Sequence, residues 1–140
     1  MLRNNDDNRA KPNIRRGAIT VEFALVLPLL LLFTFAAVEF SRINMIVNTM
    51  ENACYEAARR GIIPGGTTQT VREKANSIMR AIGAAETVVT VTPTNIVSGT
   101  TEVTVTIDLP LDQNAWVIGA FSSGKVLTRT CTLARENSGL

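Results

Sequence analysis

The most hydrophobic run of the chain covers residues 18–38, and its only ionisable side chain is Glu22. An α-helix rises about 1.5 Å per residue, so a helix of this length reaches roughly 30 Å, the thickness of a bilayer core. A buried helix in a soluble protein normally keeps a polar face, whereas this run offers only Thr34 after Phe23. The pattern therefore predicts a transmembrane helix over residues 18–38, with Pro28 inside it.

Helical periodicity continues beyond this run. Apolar side chains recur every three or four positions between Glu39 and Arg60, which indicates one apolar stripe on a helix. The stripe consists of Ile43, Ile46, Val47, Met50, Ala53, Cys54 and Ala57. Gly61 and then Pro64-Gly65-Gly66 cannot easily continue a helix. We predict a single helix of about 40 residues that continues from the membrane into an outer domain.

A second helix is predicted after this break. Thr70 and Glu73 have the spacing of a capping box, in which the two side chains accept hydrogen bonds from free backbone N–H groups. Gly83 is expected to end the helix. Its predicted core face is formed by Val71, Ala75, Ile78, Met79 and Ile82.

The pattern then changes to alternation of β-branched or leucine side chains with polar ones. Residues 87–92, 102–109 and 126–133 alternate in this way, which is typical of strands. The first two are close in sequence and predict an antiparallel hairpin. The expected fold is α+β: a long N-terminal transmembrane helix that continues into a small outer domain with a second helix and a three-stranded antiparallel sheet.

The connection between the second and third strands, residues 110–124, is unusually apolar. It contains Trp116, Val117, Ile118 and Phe121. These side chains fit a short helix that covers the sheet, and they equally describe a surface for a partner. Burial is the favoured interpretation, because aromatic side chains dominate small cores.

Charge gives the chain an orientation. Residues 1–17 carry five basic residues against two acidic ones, and the next basic residue is Arg42. The excess of Lys and Arg before the apolar run places the N-terminus in the cytoplasm. A cleaved secretory signal is disfavoured, because the run is too long and no A-x-A site follows it. We predict a basic cytoplasmic leader at 1–17, the membrane segment at 18–38 and an outer domain at 39–140.

Composition argues against catalysis. The chain has no histidine, which removes the usual general base and most zinc sites, and it has no P-loop, G-x-G-x-x-G or C-x-x-C motif. No catalytic, cofactor-binding or metal-binding residue is therefore predicted, and no cofactor or small-molecule substrate. Basic residues outside the leader form no stripe, so nucleic acid is not an expected partner.

The two cysteines, Cys54 and Cys131, leave two alternatives open. An oxidising compartment would permit a disulfide between the long helix and the last strand. Two separate buried thiols are equally consistent with the sequence. The choice depends on whether the Cα atoms approach within roughly 4.4–6.8 Å, which spacing along the chain does not reveal.

Glu22 is costly within an apolar run, and the residues before it suggest a reason. The stretch Arg15-Arg16-Gly17-Ala18-Ile19-Thr20-Val21-Glu22-Phe23 resembles the type III signal of prepilins. The resemblance implies that a prepilin peptidase cuts after Gly17, that Ala18 becomes the N-terminus, and that Glu22 and Phe23 act in assembly. A new amino group at Ala18 would be largely charged at neutral pH, and Glu22 could neutralise it.

The longer stretch GAITVEFALVLPLLLLFTFAAVEFSR is similar to TadE-like pseudopilins of the tight-adherence (Flp) pilus system. Glu39-Phe40-Ser41-Arg42 matches their second acidic group, and Ala57-Ala58-Arg59-Arg60 matches their helix end. Phe23, where major pilins usually have tyrosine, and the large outer domain imply a minor pseudopilin.

This resemblance implies a single-pass protein of the bacterial inner membrane with a periplasmic domain. The implied partners are membrane lipid, the prepilin peptidase, other pilins or pseudopilins, and the pilus assembly platform. An uncleaved membrane-anchored binding protein, in which Glu22 is incidental, is the alternative. An enzyme is a third possibility, although the sequence shows no site for one.

Overall fold

A computed structural model describes residues 13–114 and 124–135, with side chains from Gly17 onwards. Its elements are helix α1 (Asn13–Ile62), helix α2 (Thr68–Ala81), strand β1 (Val88–Thr92), strand β2 (Glu102–Pro110), a 3-10 turn (Leu111–Gln113) and strand β3 (Val126–Ala134). The chain divides into two compact units, with the boundary in the sequence between Ala37 and Val38. We call the second, Val38–Leu140, the α+β unit. The predicted fold class is confirmed.

Helix α1 begins before the apolar run and contains Pro28. Proline has no N–H to donate to the carbonyl of Ala24, a loss that helices in apolar surroundings tolerate better than most. Thr34 satisfies its own hydroxyl within the helix, because Oγ1 donates to the carbonyl of Leu30 at 2.8 Å. The only polar side chain between Phe23 and Val38 therefore does not interrupt the helix.

Within the α+β unit, α1 buries the stripe that its periodicity predicts. The fully buried members are Ile46, Met50, Ala53, Cys54, Ala57 and Ala58, while Ile43 and Val47 are half-buried. The stripe narrows to small side chains toward the helix end. At Gly61 a Cβ atom would lie only 3.0 Å from Cγ1 of Val103 and Cγ2 of Val71. The end of α1 is therefore packed closely against β2 and α2.

The predicted start of α2 is wrong by three residues. Thr67 is the N-cap: its Oγ1 accepts from the N–H of Thr70 at 3.2 Å, and Oγ1 of Thr70 accepts from the N–H of Thr67 at 3.0 Å. Glu73 instead accepts a hydrogen bond from the side chain of Gln69. A threonine hydroxyl thus takes the role expected of the glutamate, which moves the capping box one turn earlier.

The end of α2 agrees with the prediction. Gly83 has φ +70°, and its N–H donates to Arg80 O at 2.9 Å, while the N–H of Ala84 donates to Met79 O at 3.2 Å. This pair of bonds satisfies the last helical carbonyls and requires a left-handed residue, which glycine adopts without a Cβ clash. Val71, Ala75 and Met79 are buried, and Ile78 and Ile82 are half-buried.

The three strands form one antiparallel sheet in the order β1-β2-β3, so the predicted hairpin and sheet are confirmed. Residues that alternate along each strand separate two faces. One face packs against the helices and contributes Val91, Val103, Val105, Ile107 and Leu109 to the core. The opposite face is exposed and rich in threonine, with hydroxyl pairs between Thr104 and Thr132 and between Thr106 and Thr130.

Both ends of the β2–β3 connection are fastened. The carboxylate of Asp112 accepts from the N–H of Gly124 at 3.0 and 3.1 Å. Asn114, only 3% exposed, exchanges hydrogen bonds with the backbone of Ala85. A short 3-10 turn lies here, with Leu111 buried. The predicted role of Trp116, Val117, Ile118 and Phe121 lies outside the described residues.

Candidate processing and assembly segment

The Gly17–Ala18 peptide bond lies within helix α1, and both residues are exposed. A Cβ atom at Gly17 would meet nothing within 4 Å. Glycine in a helix costs about 1 kcal/mol relative to alanine, so a glycine without a packing reason is unfavourable for the fold. Within residues 17–114 and 124–135, whose side chains the structure describes, no packing contact requires Gly17.

Glu22 lies one helical turn after Ala18, and residues at this spacing occupy the same face of a helix. Its side chain is exposed, as is that of Phe23 at 63%. An amino group created at residue 18 would therefore share a helix face with this carboxylate. The structure places Gly17, Ala18, Glu22 and Phe23 together within two turns of α1.

The rest of the apolar segment is exposed on every side. Within the described chain, the stretch Gly17–Ile62 is the one helix long and apolar enough to cross a membrane, and none of its most apolar window is buried. The exposed large side chains include Ile19, Leu25, Leu29, Leu32, Phe33 and Phe35. Exposure of so much apolar surface to water is unfavourable, so lipid or other apolar helices must cover it. This indicates a single-pass membrane protein.

The second acidic group follows directly after the apolar segment. Glu39 is only 1% exposed and Arg42 is half-buried, whereas Phe40 is 68% exposed. Burial of a carboxylate is costly unless polar partners compensate it. The acid and the arginine are three residues apart on the helix and so lie on one face. Glu39 is thus an inward-facing residue, which its sequence neighbours did not predict.

The alanine- and arginine-rich end of α1 combines two roles. Ala57 and Ala58 are completely buried in the core of the α+β unit, whereas Arg59 and Arg60 are exposed and lie in the last turn. Small side chains allow the close approach seen at Gly61, and cations in the last turn of a helix complement its dipole. Close packing therefore explains the two alanines of this motif, and the helix dipole explains its two arginines.

Both cysteines lie on the side of the sheet that faces the helices. Cys54 is 1% exposed, and its Sγ donates to Arg129 O at 3.2 Å and to Val105 O at 3.6 Å. Cys131 is half-buried, packs against the same core, and is the ladder partner of Val105. Both are free thiols. Burial, and next the nearby Cys131, raises the pKa of the Cys54 thiol from 9.0 to about 11.

Comparison with known families bears on this segment. Residues 17–59 match the family described as TadE-like protein. This segment is TadE-like. The match begins at Gly17 and includes Glu22, Glu39 and Cys54, and it covers less than half of the 140-residue chain. No curated protein and no solved structure shows significant similarity to the chain. The similarity is therefore limited to the part of α1 that includes the apolar segment and the buried stripe.

The TadE-like segment and the described part of the α+β unit contain no group of three or more His, Cys, Asp or Glu residues that could hold a metal ion. The acidic residues of the TadE-like segment lie instead at separate positions along α1. Glu22 and Glu51 are exposed, whereas Glu39 is buried, and Glu51 forms a salt bridge to β3, with Oε1 at 3.0 Å from Nε of Arg129. Carboxylates spaced along one helix in this way can each contact a different partner group.

One structurally important residue gave no signal in the sequence. Arg135 lies immediately after β3, and its Nε donates to Ile62 O at 2.9 Å while Nη1 donates to Ser98 O at 3.1 Å. It also reaches Gly61 O and Val97 O at 3.5 and 3.3 Å. Arg135 therefore joins the end of α1 to the β1–β2 loop and the end of the sheet. Its partners are backbone carbonyls, which any residue supplies.

Proposed function

We propose that this chain is a minor pseudopilin that supports assembly of a tight-adherence (Flp) pilus or secretion machine in the bacterial inner membrane. A prepilin peptidase would cleave between Gly17 and Ala18 and remove the basic leader. Residues 18–38 would remain as the membrane anchor, and the α+β unit would lie in the periplasm. Its partners would be other pilins or pseudopilins and the assembly platform.

The observation that carries this proposal is the pairing of an unexplained glycine with an exposed carboxylate one turn further on. A Cβ atom at Gly17 would meet no described atom within 4 Å, so the described residues give this glycine no role in packing. Glu22 is exposed on an otherwise apolar helix surface, where a lone carboxylate is disfavoured. Cleavage after Gly17 would create an ammonium group that could neutralise Glu22 in the same or a neighbouring subunit. Processing by the peptidase would then explain both the glycine within the helix and the carboxylate on the apolar surface.

The exposed apolar surface of α1 supports an anchoring and assembly role. Apart from Thr20, Glu22 and Thr34, the side chains of residues 18–38 are all apolar, and every residue of this segment is exposed. Helices with such surfaces associate through close packing and through polar side chains that pair across the interface. Lipid would cover the surface in the membrane, and neighbouring pilin helices would cover it in an assembly.

The proposal is tested by the intact mass of the protein extracted from membranes of cells that make the cognate peptidase. We expect the mass of residues 18–140, with Ala18 as the N-terminus. Gly17→Leu should keep the full-length mass, because a side chain would crowd the peptidase cleft. Ala24→Leu is the matched control, since it adds similar bulk to the same helix away from the junction, and it should be cleaved.

Assembly is tested separately from cleavage. Glu22→Gln keeps the size of the side chain and removes its charge, so we expect normal insertion and cleavage but loss of surface pili. Thr34→Val is the control, because it also removes a polar group from the same segment without touching the proposed ion pair. Full-length wild-type protein beside an active peptidase would exclude processing and would favour the uncleaved anchored binding protein.

A further inference from the structure

Helix α1 and strand β3 bring the chain's two cysteines to one place, although the residues are far apart in sequence. Cys54 lies against the boundary between β2 and β3, with its Sγ 3.2 Å from Arg129 O. Side chains alternate along a strand, so Cys131 is on the same face of β3 as Arg129. That face packs against the core that contains Cys54. The two thiols therefore occupy the same layer, between α1 and the sheet edge.

We propose that Cys54 and Cys131 form an oxidation site, where a thiol–disulfide oxidant of the extracytoplasmic compartment creates an intrachain disulfide that ties edge strand β3 to helix α1. In the cell, this inference depends on the periplasmic location proposed above for the α+β unit. It does not depend on cleavage at Gly17. The bridge would be independent of the membrane segment, since both cysteines belong to the α+β unit.

The exposures of the two thiols assign their order in the reaction. Cys131 is half-buried on an edge strand, whereas Cys54 is 1% exposed. The thiolate of Cys131 attacks the disulfide of the oxidant, forms a mixed disulfide and releases one thiol of the oxidant. Cys54 then loses its proton and attacks Sγ of Cys131, which releases the second thiol. Two cysteine thiols are oxidised, one oxidant disulfide is reduced to a dithiol, and the oxidant's sulfurs receive both protons.

Packing makes the second step slow in the folded protein. Thiolate is the attacking species, and burial among apolar side chains keeps Cys54 protonated. Its Sγ also donates to two carbonyls, which favours the thiol form. Oxidation should therefore be faster while β3 is still unpaired than after the sheet has closed. Once formed, the disulfide would be shielded from reductants by the same packing.

Bridge formation is tested on the full chain in detergent micelles. The protein is first reduced. One sample is then exposed to oxidised glutathione while folded, and a second is refolded from denaturant in the same buffer. Both are unfolded without reductant and labelled with a maleimide polymer. We expect refolded wild-type protein to take up no label, and reduced protein to take up two. Because the chain has two cysteines in total, any intrachain bridge joins this pair.

Serine variants are the matched controls. Cys131→Ser and Cys54→Ser should each lose the bridge. In Cys54→Ser, the more accessible Cys131 should instead carry a glutathione adduct. In Cys131→Ser, a much smaller fraction of Cys54 should carry this adduct. The melting temperature of wild-type protein should rise by on the order of 10 °C on oxidation, with no such change in either variant.

Two labels on wild-type protein after both folded oxidation and oxidative refolding would overturn the proposal. Intact mass separates this result from the fate of the proposed function, since processing removes residues 1–17 and the bridge removes two hydrogen atoms. A full-length protein that lacks two hydrogens would support the bridge and contradict processing. A processed protein with both thiols labelled would do the reverse.

Discussion

Two glycines of helix α1 have opposite surroundings, although both lie in helical backbone. A Cβ at Gly61 would lie 3.0 Å from side-chain atoms of Val103 and Val71, and a Cβ at Gly17 would meet nothing within 4 Å. The first glycine is needed by the fold, and the second is not. Sequence showed only that both positions interrupt or start a helical pattern, because the neighbours that distinguish them come from β2 and α2.

Gly61→Ala should therefore destabilise the α+β unit, because the added methyl group crowds two buried valines. Overpacking of this kind typically costs about 1–3 kcal/mol. Gly17→Ala adds the same methyl group in open space and should not lower the free energy of unfolding. Both are measured by denaturant unfolding of the full chain in micelles. Equal stability of the two variants would contradict the close packing at Gly61.

Arg135 is a second residue whose role is local and testable. Arg135→Ala removes four hydrogen bonds, of which those to the carbonyls of Gly61 and Ile62 are partly buried and those to the β1–β2 loop are exposed. A typical hydrogen bond contributes about 0.5–1.5 kcal/mol, so we expect a loss of about 1–3 kcal/mol, mostly from the two partly buried bonds. Arg135→Lys keeps the charge but lacks the guanidinium fork, so it should recover only part of the loss. Arg72→Ala, on the exposed face of α2, is the control and should have little effect on the melting temperature.

The Cys54 thiol should make the reduced protein sensitive to alkaline pH. Its pKa is raised from 9.0 to about 11, so the folded state holds the proton more tightly than the unfolded state does. The resulting stability is complete below pH 9 and is lost as the pH rises toward 11, by about 1 kcal/mol between pH 8 and pH 10. Unfolding is compared in Cys131→Ser, which cannot form the bridge, and in the double variant that also has Cys54→Ser. A pH dependence that is identical in both would exclude this role of Cys54.

At the scale of elements, the periodicity of apolar residues predicted the helices and strands correctly. It did not predict which side chains form the hydrogen bonds at the start of α2. The stripes of α1 and α2 and the alternation of the three strands were sufficient to predict each element, because burial repeats with the period of the structure. The start of α2 was misplaced because Thr67, Thr68 and Thr70 offer equivalent hydroxyls, and the choice between them depends on the turn before the helix. Sequence cannot resolve such near-equal caps.

The two versions of the cap make opposite predictions for mutants. Thr67→Ala should cost about 1 kcal/mol, because it removes the acceptor for the N–H of Thr70. Glu73→Ala should be nearly neutral, since this side chain contacts Gln69 on the exposed surface and caps nothing. Thermal unfolding followed by circular dichroism measures both. A larger loss from Glu73→Ala than from Thr67→Ala would support the capping box at Thr70.

At the scale of the whole molecule, the sequence predicted the TadE-like segment from short motifs, because Gly17, Glu22 and Glu39 stand out against an apolar background. It did not predict which residues hold the α+β unit together at long range. Asn114 and Arg135 bond to backbone atoms of distant loops. Cys54 and Cys131 were recognised as a possible pair, but only the packing of β3 on α1 shows that they share a layer.

Orientation in the membrane is predicted to follow the basic leader. A reporter that is active only in the periplasm, fused after Leu140, should be active in the wild type. Replacement of Arg15 and Arg16 by glutamate gives the leader an excess of acidic residues and should reduce that activity strongly. The matched replacement of Arg59 and Arg60 by glutamate reverses two charges on the other side of the apolar segment and should preserve the reporter activity. Activity from a cytoplasmic reporter alone would reverse the orientation.

The position of β3 determines when the α+β unit can be completed during synthesis. This strand and Arg135 are made after every other described element, yet they supply the contacts to Cys54, Glu51 and the last carbonyls of α1. While the ribosome is still adding these residues, β2 has one open edge and the end of α1 is uncapped. The apolar segment, synthesised some hundred residues earlier, has by then already emerged. The α+β unit can therefore complete its sheet only after this last strand has been synthesised.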